Sequence, residues 1–408
     1  MNLIIFSIPI FFLLIGLELL YQFIKKEQLY RLNDAVSNIN CGTAQQITGI
    51  FTKSLLLVTY YWVYENFRFW TIKDTWYSYV ILLLFVDLCY YFFHRYAHEI
   101  ALLWGSHAVH HQSEEYNFSV ALRQSSLQTF ASAWFYLPLA FIGFSFESFI
   151  MIAAIQTLYQ FWIHTQIIKK LPSWFEFIFN TPSHHRVHHS SDPKYIDKNH
   201  GGTFIIWDRI FGTFIEEADP INFGVTKPVQ SWNVIWVNFE YYQWLGKVFM
   251  EAKGLDKFRV LFKRTGWRPD YLGGPLSPQE RPIGYEKYDV SAGKLTNIYV
   301  LILFTVLLGS VALFLFNTAQ MNSTELVINS LLILWVILNI GYLLESKNRI
   351  LWMEPIRIIV TYIVFTVFHM DSELWIKSLA LLTSATLFMI YLTFSYMNSK
   401  NKSHKLAT

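Results

Sequence analysis

Four imidazoles fall within six consecutive residues of the stretch NTPSHHRVHH, at His184, His185, His188 and His189. Two further groups precede it: HRYAH supplies His94 and His98, and HAVHH supplies His107, His110 and His111. Of the chain's 13 histidines, only His369 and His404 lie outside the interval from His94 to His200. Residues three and four apart on a helix share a face, so each group can aim two or three ring nitrogens at one point without backbone strain. That is the arrangement a metal centre needs. A single tetrahedral ion would leave about half of the eight well-spaced nitrogens unused, so two metals fit better. Imidazole suits iron, zinc and copper alike, and ligand type alone does not choose among them.

Other residues join this pattern. Asp87, His94 and His98 are seven and then four residues apart, which puts them on one helical stripe. A carboxylate inside an apolar run is a functional candidate, and Asp87 is expected to accept the second ring N–H of a ligand histidine and fix its tautomer. Gln156, Gln160 and His164 form a second polar stripe in an apolar segment, with His164 expected as a further ligand. Glu99 follows His98 directly and can be read as a ligand, a base, a partner for the polar end of a substrate or a solvated helix-end carboxylate. His184, beside the spaced triplet but off its face, and His200, in DKNHGG, complete the candidate ligand set. Gly201 and Gly202 point to close backbone approach there, while Trp207, Phe211 and Phe214 read as packing residues.

The elements that must position these groups are apolar. The 408 residues are 53% hydrophobic, 18% aromatic and 15% charged, a balance that belongs to a membrane protein. A net charge of +3 without a Lys/Arg block excludes a nucleic-acid partner. With only Cys41 and Cys89 present, neither a disulfide framework nor a thiolate metal site is available. Runs at 2–23, 47–64 and 76–93 meet the length needed to span a bilayer, and the first reads as a retained span. The run 129–164 is interrupted at Pro138 and Gly143 and reads as two half-depth helices or a hairpin. Residues 166–296 are polar and Pro/Gly-punctuated, and further apolar runs follow at 298–316, 326–344, 357–368 and 375–397.

The expected fold is therefore all-α: a polytopic membrane protein with N-terminal transmembrane helices (1–93), a histidine-rich region with a membrane hairpin and cytosolic segment (94–296), and extra C-terminal transmembrane helices (297–408). Lys25, Lys26 and Arg31 after the first run, with Lys169, Lys170, Lys253, Lys257, Arg259, Lys263 and Arg264 in the polar segment, place the metal site on the cytosolic face by the positive-inside rule. The host is a bacterial inner membrane or an endoplasmic reticulum.

A histidine-rich dinuclear site at a membrane boundary, fed from within the bilayer, fits iron that activates O2 against an unactivated C–H bond of a lipid. Zinc cannot perform that redox step. The boxes His94-x-x-x-His98, His107-x-x-His110-His111 and His185-x-x-His188-His189 resemble those of the fatty acid hydroxylase and sterol desaturase superfamily, membrane di-iron oxygenases. More narrowly, HRYAHE, HHQSEEYNFSVALRQSSLQ, LYQFWIHTQ, NTPSHHRVHH and IDKNHGGTFIIWDRIFGTF, within roughly residues 87–217, resemble its ether-lipid-cleaving members, which act on alkylglycerols. The resemblance implies two irons, O2, a tetrahydropterin reductant, and hydroxylation next to the ether oxygen that releases a fatty aldehyde. It also implies a place for Glu99 near metal or pterin. Those members carry an aromatic residue after DKN, where this chain has His200. No cytochrome b5 signature or iron–sulfur cysteine set is present, so electrons come from an external donor.

Two alternatives stand beside this reading: hydroxylation or desaturation of a fatty acid, sterol or carotenoid, and a histidine-lined metal transporter. Ligands acting as a unit fail as a unit. His110→Ala or His188→Ala is expected to abolish turnover and lower metal content, whereas His404→Ala does neither, as checked by metal analysis and activity of the purified variants.

Overall fold

The computed structural model describes residues 3–282, 284–290 and 292–368, together with positions 384, 388 and 391. His369, His404 and most of the run 375–397 lie outside the described residues. The architecture is all-helical: β-pairing among the described residues is confined to two isolated bridges, Phe179 with Phe204 and Ser190 with Phe223.

In chain order the helices are α1 (Leu3–Lys25), α2 (Leu32–Phe67), α3 (Trp76–Glu99), α4 (Ala101–His111), α5 (Phe118–Ala121), α6 (Gln128–Ser132), α7 (Leu137–Ile142), α8 (Phe146–Trp162), α9 (Ser173–Ile178), α10 (Pro182–His188), α11 (Ile206–Phe211), α12 (Val234–Glu251), α13 (Asp256–Phe262), α14 (Lys294–Asn317), α15 (Ser323–Leu344) and α16 (Ile350–Phe368). Among the described residues, four segments are long and apolar enough to cross a membrane: Phe6–Lys25, Trp76–Glu99, Lys294–Gln320 and Ser323–Leu344. The chain is an integral membrane protein. The expected second span, 47–64, forms the later part of the 36-residue α2, whose first turns carry Asp34 and Asn38. The polar segment after residue 166 holds α9 to α13 as well as loops.

The chain divides into two compact units, residues 1–229 with 236–287, and 230–235 with 288–408. In the first, α3 is the central element. Thr75 and Ser78 form a reciprocal capping box at its start, satisfying two of the donors that a helix N-terminus leaves open. Its apolar face joins Leu82 and Val86 to Leu139, Ala140, Phe144 and Ile152 from the α7–α8 region, held by van der Waals packing as expected between helices in lipid. The break in the run 129–164 falls at Gly143, whose φ is +107° and whose added Cβ would lie 1.8 Å from the Trp70 carbonyl oxygen. Pro138 sits in the first turn of α7, where its missing N–H costs nothing. The chain reverses at Ile100 and sends α4 back, so that the histidines of HAVHH meet those of HRYAH.

Beneath α4 lies a buried polar buckle. Arg123 donates to the Val109 carbonyl (2.7 Å), Gln112 Oε1 (2.9 Å), Asn38 Oδ1 (3.1 Å) and Ser37 Oγ (3.2 Å). Asp34 accepts from Asn38 Nδ2 at 2.7 Å and Ser113 Oγ at 2.8 Å. In the second unit, Glu354 plays a comparable part: it accepts from Tyr299 (2.6 Å), Asn339 (2.7 Å) and both arms of Arg357 (2.9 and 2.5 Å). Charged groups at such depth are tolerated only with partners.

Replacing Arg123 by Leu strands its acceptors, so the variant is expected to lose about 3–5 kcal/mol of stability. The unfolding midpoint in detergent checks this, with Lys253→Leu as a neutral surface control.

Candidate metal centre

The boxes converge on two adjoining groups. His94 and His98 of α3, His107 and His111 of α4, and His188 of α10 form one; His110 of α4, His164, His185 of α10 and His189 form the other, with each group's ligand atoms within 4.8 Å of one another and every member buried. Nε2 atoms lie 3.2 Å apart in the pairs His98–His111 and His107–His111. In the second group the spacings are 3.3 Å for His110–His164, 3.1 Å for His164–His185 and 3.2 Å for His185–His189. Neighbouring ligands at right angles with bonds of about 2.1 Å stand about 3.0 Å apart.

The ring contacts define a shape. His94, His107, His111 and His188 form a closed four-membered ring of contacts, with centroids 4.6, 5.0, 4.7 and 4.3 Å apart in turn. His98 touches all four, at 4.6 to 5.3 Å. No ring contact joins His94 to His111 or His107 to His188 among the described residues. The ring centroids thus form a four-membered circuit capped by His98. The circuit faces the second group through His111–His189 (4.3 Å), His185–His188 (5.1 Å) and His107–His110 (5.4 Å). In the second group His110 and His185 stand farthest apart, at 6.4 Å, with His164 and His189 touching both.

What aims the rings is mostly backbone. The Nδ1 atoms of His94, His188, His110 and His164 donate to the carbonyls of His200 (2.7 Å), Lys198 (2.9 Å), Arg123 (2.9 Å) and Gln160 (2.8 Å), and that of His107 to Gln128 Oε1 at 3.2 Å. A donating Nδ1 fixes the tautomer that presents a bare Nε2 lone pair. The Nε2 atoms of His94 and His188 are buried with no partner. Unsatisfied buried acceptors are costly, and a cation between the rings satisfies them. Five nitrogens around one point exceed a tetrahedral zinc shell and suit a six-coordinate redox metal such as iron.

Asp87 does a different task from the one its spacing predicts. It accepts from Gln156 Nε2 (2.6 Å), the Thr203 and Phe204 amides (2.7 and 3.0 Å) and Trp207 Nε1 (3.0 Å), and from no imidazole. Carbonyls already take the ring protons, so the carboxylate instead ties the turn after His200 to α3 and α8. Gly202 permits this: an added Cβ would meet Asp87, Gln156 and Tyr90 at 2.8 Å.

His184 and His200 stand outside both groups. Helix phase explains the first: one residue from His185, the ring turns away to meet Phe214 at 5.4 Å and lines a polar pocket of about 150 Å³ with Lys170, Arg209 and Glu216. The His200 ring lies 5.2 Å from His98, 5.6 Å from His188 and 5.7 Å from His94, beside the first group, with both ring nitrogens buried and without a partner. Its contribution is the carbonyl. Glu99 also lies outside both groups, paired with Arg95 at 3.1 Å. Trp207, Phe211 and Phe214 pack, Phe211 stacking on Tyr91 at 5.3 Å.

Sequence reasoning missed Asp208, which accepts from the amides of His200 and Gly201, both at 2.7 Å, and from Thr213 Oγ1 at 2.6 Å, and so holds the carbonyl that orients His94. It also missed Arg186, which clamps Glu217 and the carbonyls of Thr165, Ile168 and Lys169, fixing α10 beside His164. Their only signal was an ionised residue in an otherwise apolar or histidine-rich motif.

Burial pushes the His110 and His188 imidazoles down to about 4 and about 3 and lowers those of His107, His111, His164, His185 and His189 as well. All seven are neutral, and ligand-competent, at pH 7. As pH falls below 6.5 the unfolded chain takes up protons that these folded imidazoles refuse, so folded-state stability is complete above 6.5 and declines toward 4. Asp197 and Asp208, raised to about 6 by burial, act in the opposite sense but are outnumbered. The metal-free protein in detergent is therefore expected to show a flat unfolding midpoint from pH 7 to 8.5 and a falling one from 6.5 to 4.5. A midpoint that rises on acidification contradicts the assignment.

Comparison with known proteins adds a family to this geometry. The fatty acid hydroxylase pattern matches residues 79–213. The human alkylglycerol monooxygenase is 36% identical over 371 residues, 89% of this chain and 82% of that protein. The zebrafish (Danio rerio) alkylglycerol monooxygenase is 36% identical over 86% of this chain and 79% of its own length. An ornithine lipid hydroxylase of Rhizobium tropici is 30% identical over 40% of this chain and 50% of its own. No solved structure matches the chain.

Proposed function

The chain belongs to the fatty acid hydroxylase family alongside the alkylglycerol monooxygenases, and from that premise we propose that it is an O2-dependent di-iron lipid monooxygenase of the membrane. The observation that carries the metal assignment is the pair of adjoining five- and four-histidine groups. Two irons held there would supply two-electron activation of O2.

The surrounding residues do the rest. Carbonyls of His200, Lys198, Arg123 and Gln160 keep the imidazoles aimed, while burial keeps His110, His164 and His188 neutral. Burial of all nine ligand residues keeps water from a reactive oxidant. His94 and His98 ride on the last turns of the α3 span, so a lipid chain in the bilayer reaches the site without leaving an apolar medium. The basic residues after α1 and in the polar segment support a cytosolic position for this end of α3.

The substrate class follows from the relatives: an alkylglycerol ether, oxidised at the carbon next to the ether oxygen. One oxygen atom enters the C–H bond and the other leaves as water, using two electrons from a reductant. The resulting hemiacetal separates into a fatty aldehyde and a glycerol. A tetrahydropterin would supply the electron pair, and Glu99, next to His98 in sequence and paired with Arg95, is the residue we assign near it.

Purified protein is expected to hold two irons per chain and to release aldehyde from an alkylglycerol only when O2 and a tetrahydropterin are both present, as followed by mass spectrometry and O2 uptake. A stable hydroxylated lipid without aldehyde points to another hydroxylase activity of the family. Metal flux across proteoliposomes without O2 consumption makes it a transporter. Equal rates with an unrelated donor alone remove the pterin.

A further inference from the structure

Residues 251–264, EAKGLDKFRVLFKR, carry five basic against two acidic residues and form the end of α12, a turn at Gly254, and α13. One face of this segment is built into the protein: Val260 is buried in a core with Leu245, Val248 and Ala252. The opposite face is apolar and uncovered, with Leu255, Phe258 and Phe262 exposed by 73%, 63% and 60%. Positions 255, 258 and 262 share one stripe of the helix surface. Arg259, Lys263 and Arg264 flank that stripe, the side chains of Arg259 and Arg264 exposed by 58% and 75%. Arg259 pairs with Asp256 at 3.0 Å and Arg264 lies 3.9 Å from Glu99, contacts weak enough at this exposure to yield to a stronger anion.

The height of this face is fixed by its attachments. The Lys263 carbonyl accepts from the Ala101 amide at 3.0 Å, and Thr265 Oγ1 donates to the His98 carbonyl at 2.8 Å. Both contacts fall where the α3 span, Trp76–Glu99, ends. The C-terminal end of α13, with Phe262, is therefore held at the end of the span, the level at which exposed Phe and Leu flanked by Lys and Arg are stabilised by acyl chains and lipid phosphates together.

We propose that α13 is an interfacial anchor that docks on an anionic leaflet, Phe258 and Phe262 entering the acyl-chain boundary and Arg259, Lys263 and Arg264 contacting lipid phosphates. Because α13 is hydrogen-bonded to the turn that follows His98, this contact sets the depth of the histidine groups relative to the lipid. The proposal uses no feature of the oxidation chemistry and stands or falls separately from it.

The test uses the full chain with Cys41 and Cys89 replaced by alanine and an environment-sensitive fluorophore on Phe258→Cys, or on Ser277→Cys as an exposed control. Each is placed in nanodiscs of phosphatidylcholine, with or without about one-third phosphatidylglycerol, and with brominated acyl chains as quencher. Elution as a single species confirms folding. At position 258 the emission is expected to be blue-shifted and quenched at least about twofold more with the anionic lipid, the difference collapsing in about 0.5 M salt and in the variant Arg259→Glu, Lys263→Glu, Arg264→Glu. The label at 277 stays water-like throughout. Water-like emission at 258 in both bilayers, or equal quenching in both, overturns the proposal. So does a label buried only when an acidic redox protein is added, since the occupant is then a protein.

Discussion

Nine neutral imidazoles cannot be packed together in a protein interior unless something settles which nitrogen of each ring carries the proton. In this chain main-chain carbonyls make the choice for four of the nine. Those of His200, Lys198, Arg123 and Gln160 take the Nδ1 protons, leaving Nε2 lone pairs to converge. Much of the surrounding structure serves to hold those carbonyls. Asp208 holds the main chain at His200 and Gly201, Asp87 holds the turn that follows, and Arg123 offers its own carbonyl to His110 while its guanidinium locks α2 to α4.

The apolar setting makes such precision affordable and compulsory. A buried carboxylate or guanidinium in this environment is tolerated only when its hydrogen-bonding capacity is met, and Asp87, Asp208, Arg123, Arg186 and Glu354 each meet three or more partners. These networks are local: each closes within one compact unit, and those of Asp87 and Arg123 join elements close in space but distant in sequence. Around the histidines they also exclude water, so the polarity needed to build the site does not bring solvent to it.

Helical spacing made the histidine boxes legible in the sequence. His94 with His98, His107 with His111, and His185 with His189 are four apart, and each pair falls in one group; His110 is set apart from His107 and His111 by helix phase and turns to the second group. His164, read from a polar stripe, takes its place there too. The apolar runs likewise gave α1, α3, α14 and α15. What spacing does not encode is the identity of hydrogen-bond acceptors. A carbonyl has no residue type, so Asp87 was the visible carboxylate and drew a role that the backbone performs, while its real partners, the Thr203 and Phe204 amides, lie more than 100 residues away. His200 was legible as an imidazole and matters as a carbonyl. His184 shows the limit of composition: adjacent to a ligand, it is turned away by 100° of helix rotation.

The Lys198 and His200 carbonyls hold rings from two different helices, His188 of α10 and His94 of α3. Every amino acid carries a carbonyl, so this task constrains the path of the main chain at 198 and 200 and not the residue types there. Anyone transplanting this centre into another scaffold would have to copy a three-residue curve of backbone with as much fidelity as the histidines themselves, and no inspection of side-chain identity would reveal that it had been lost.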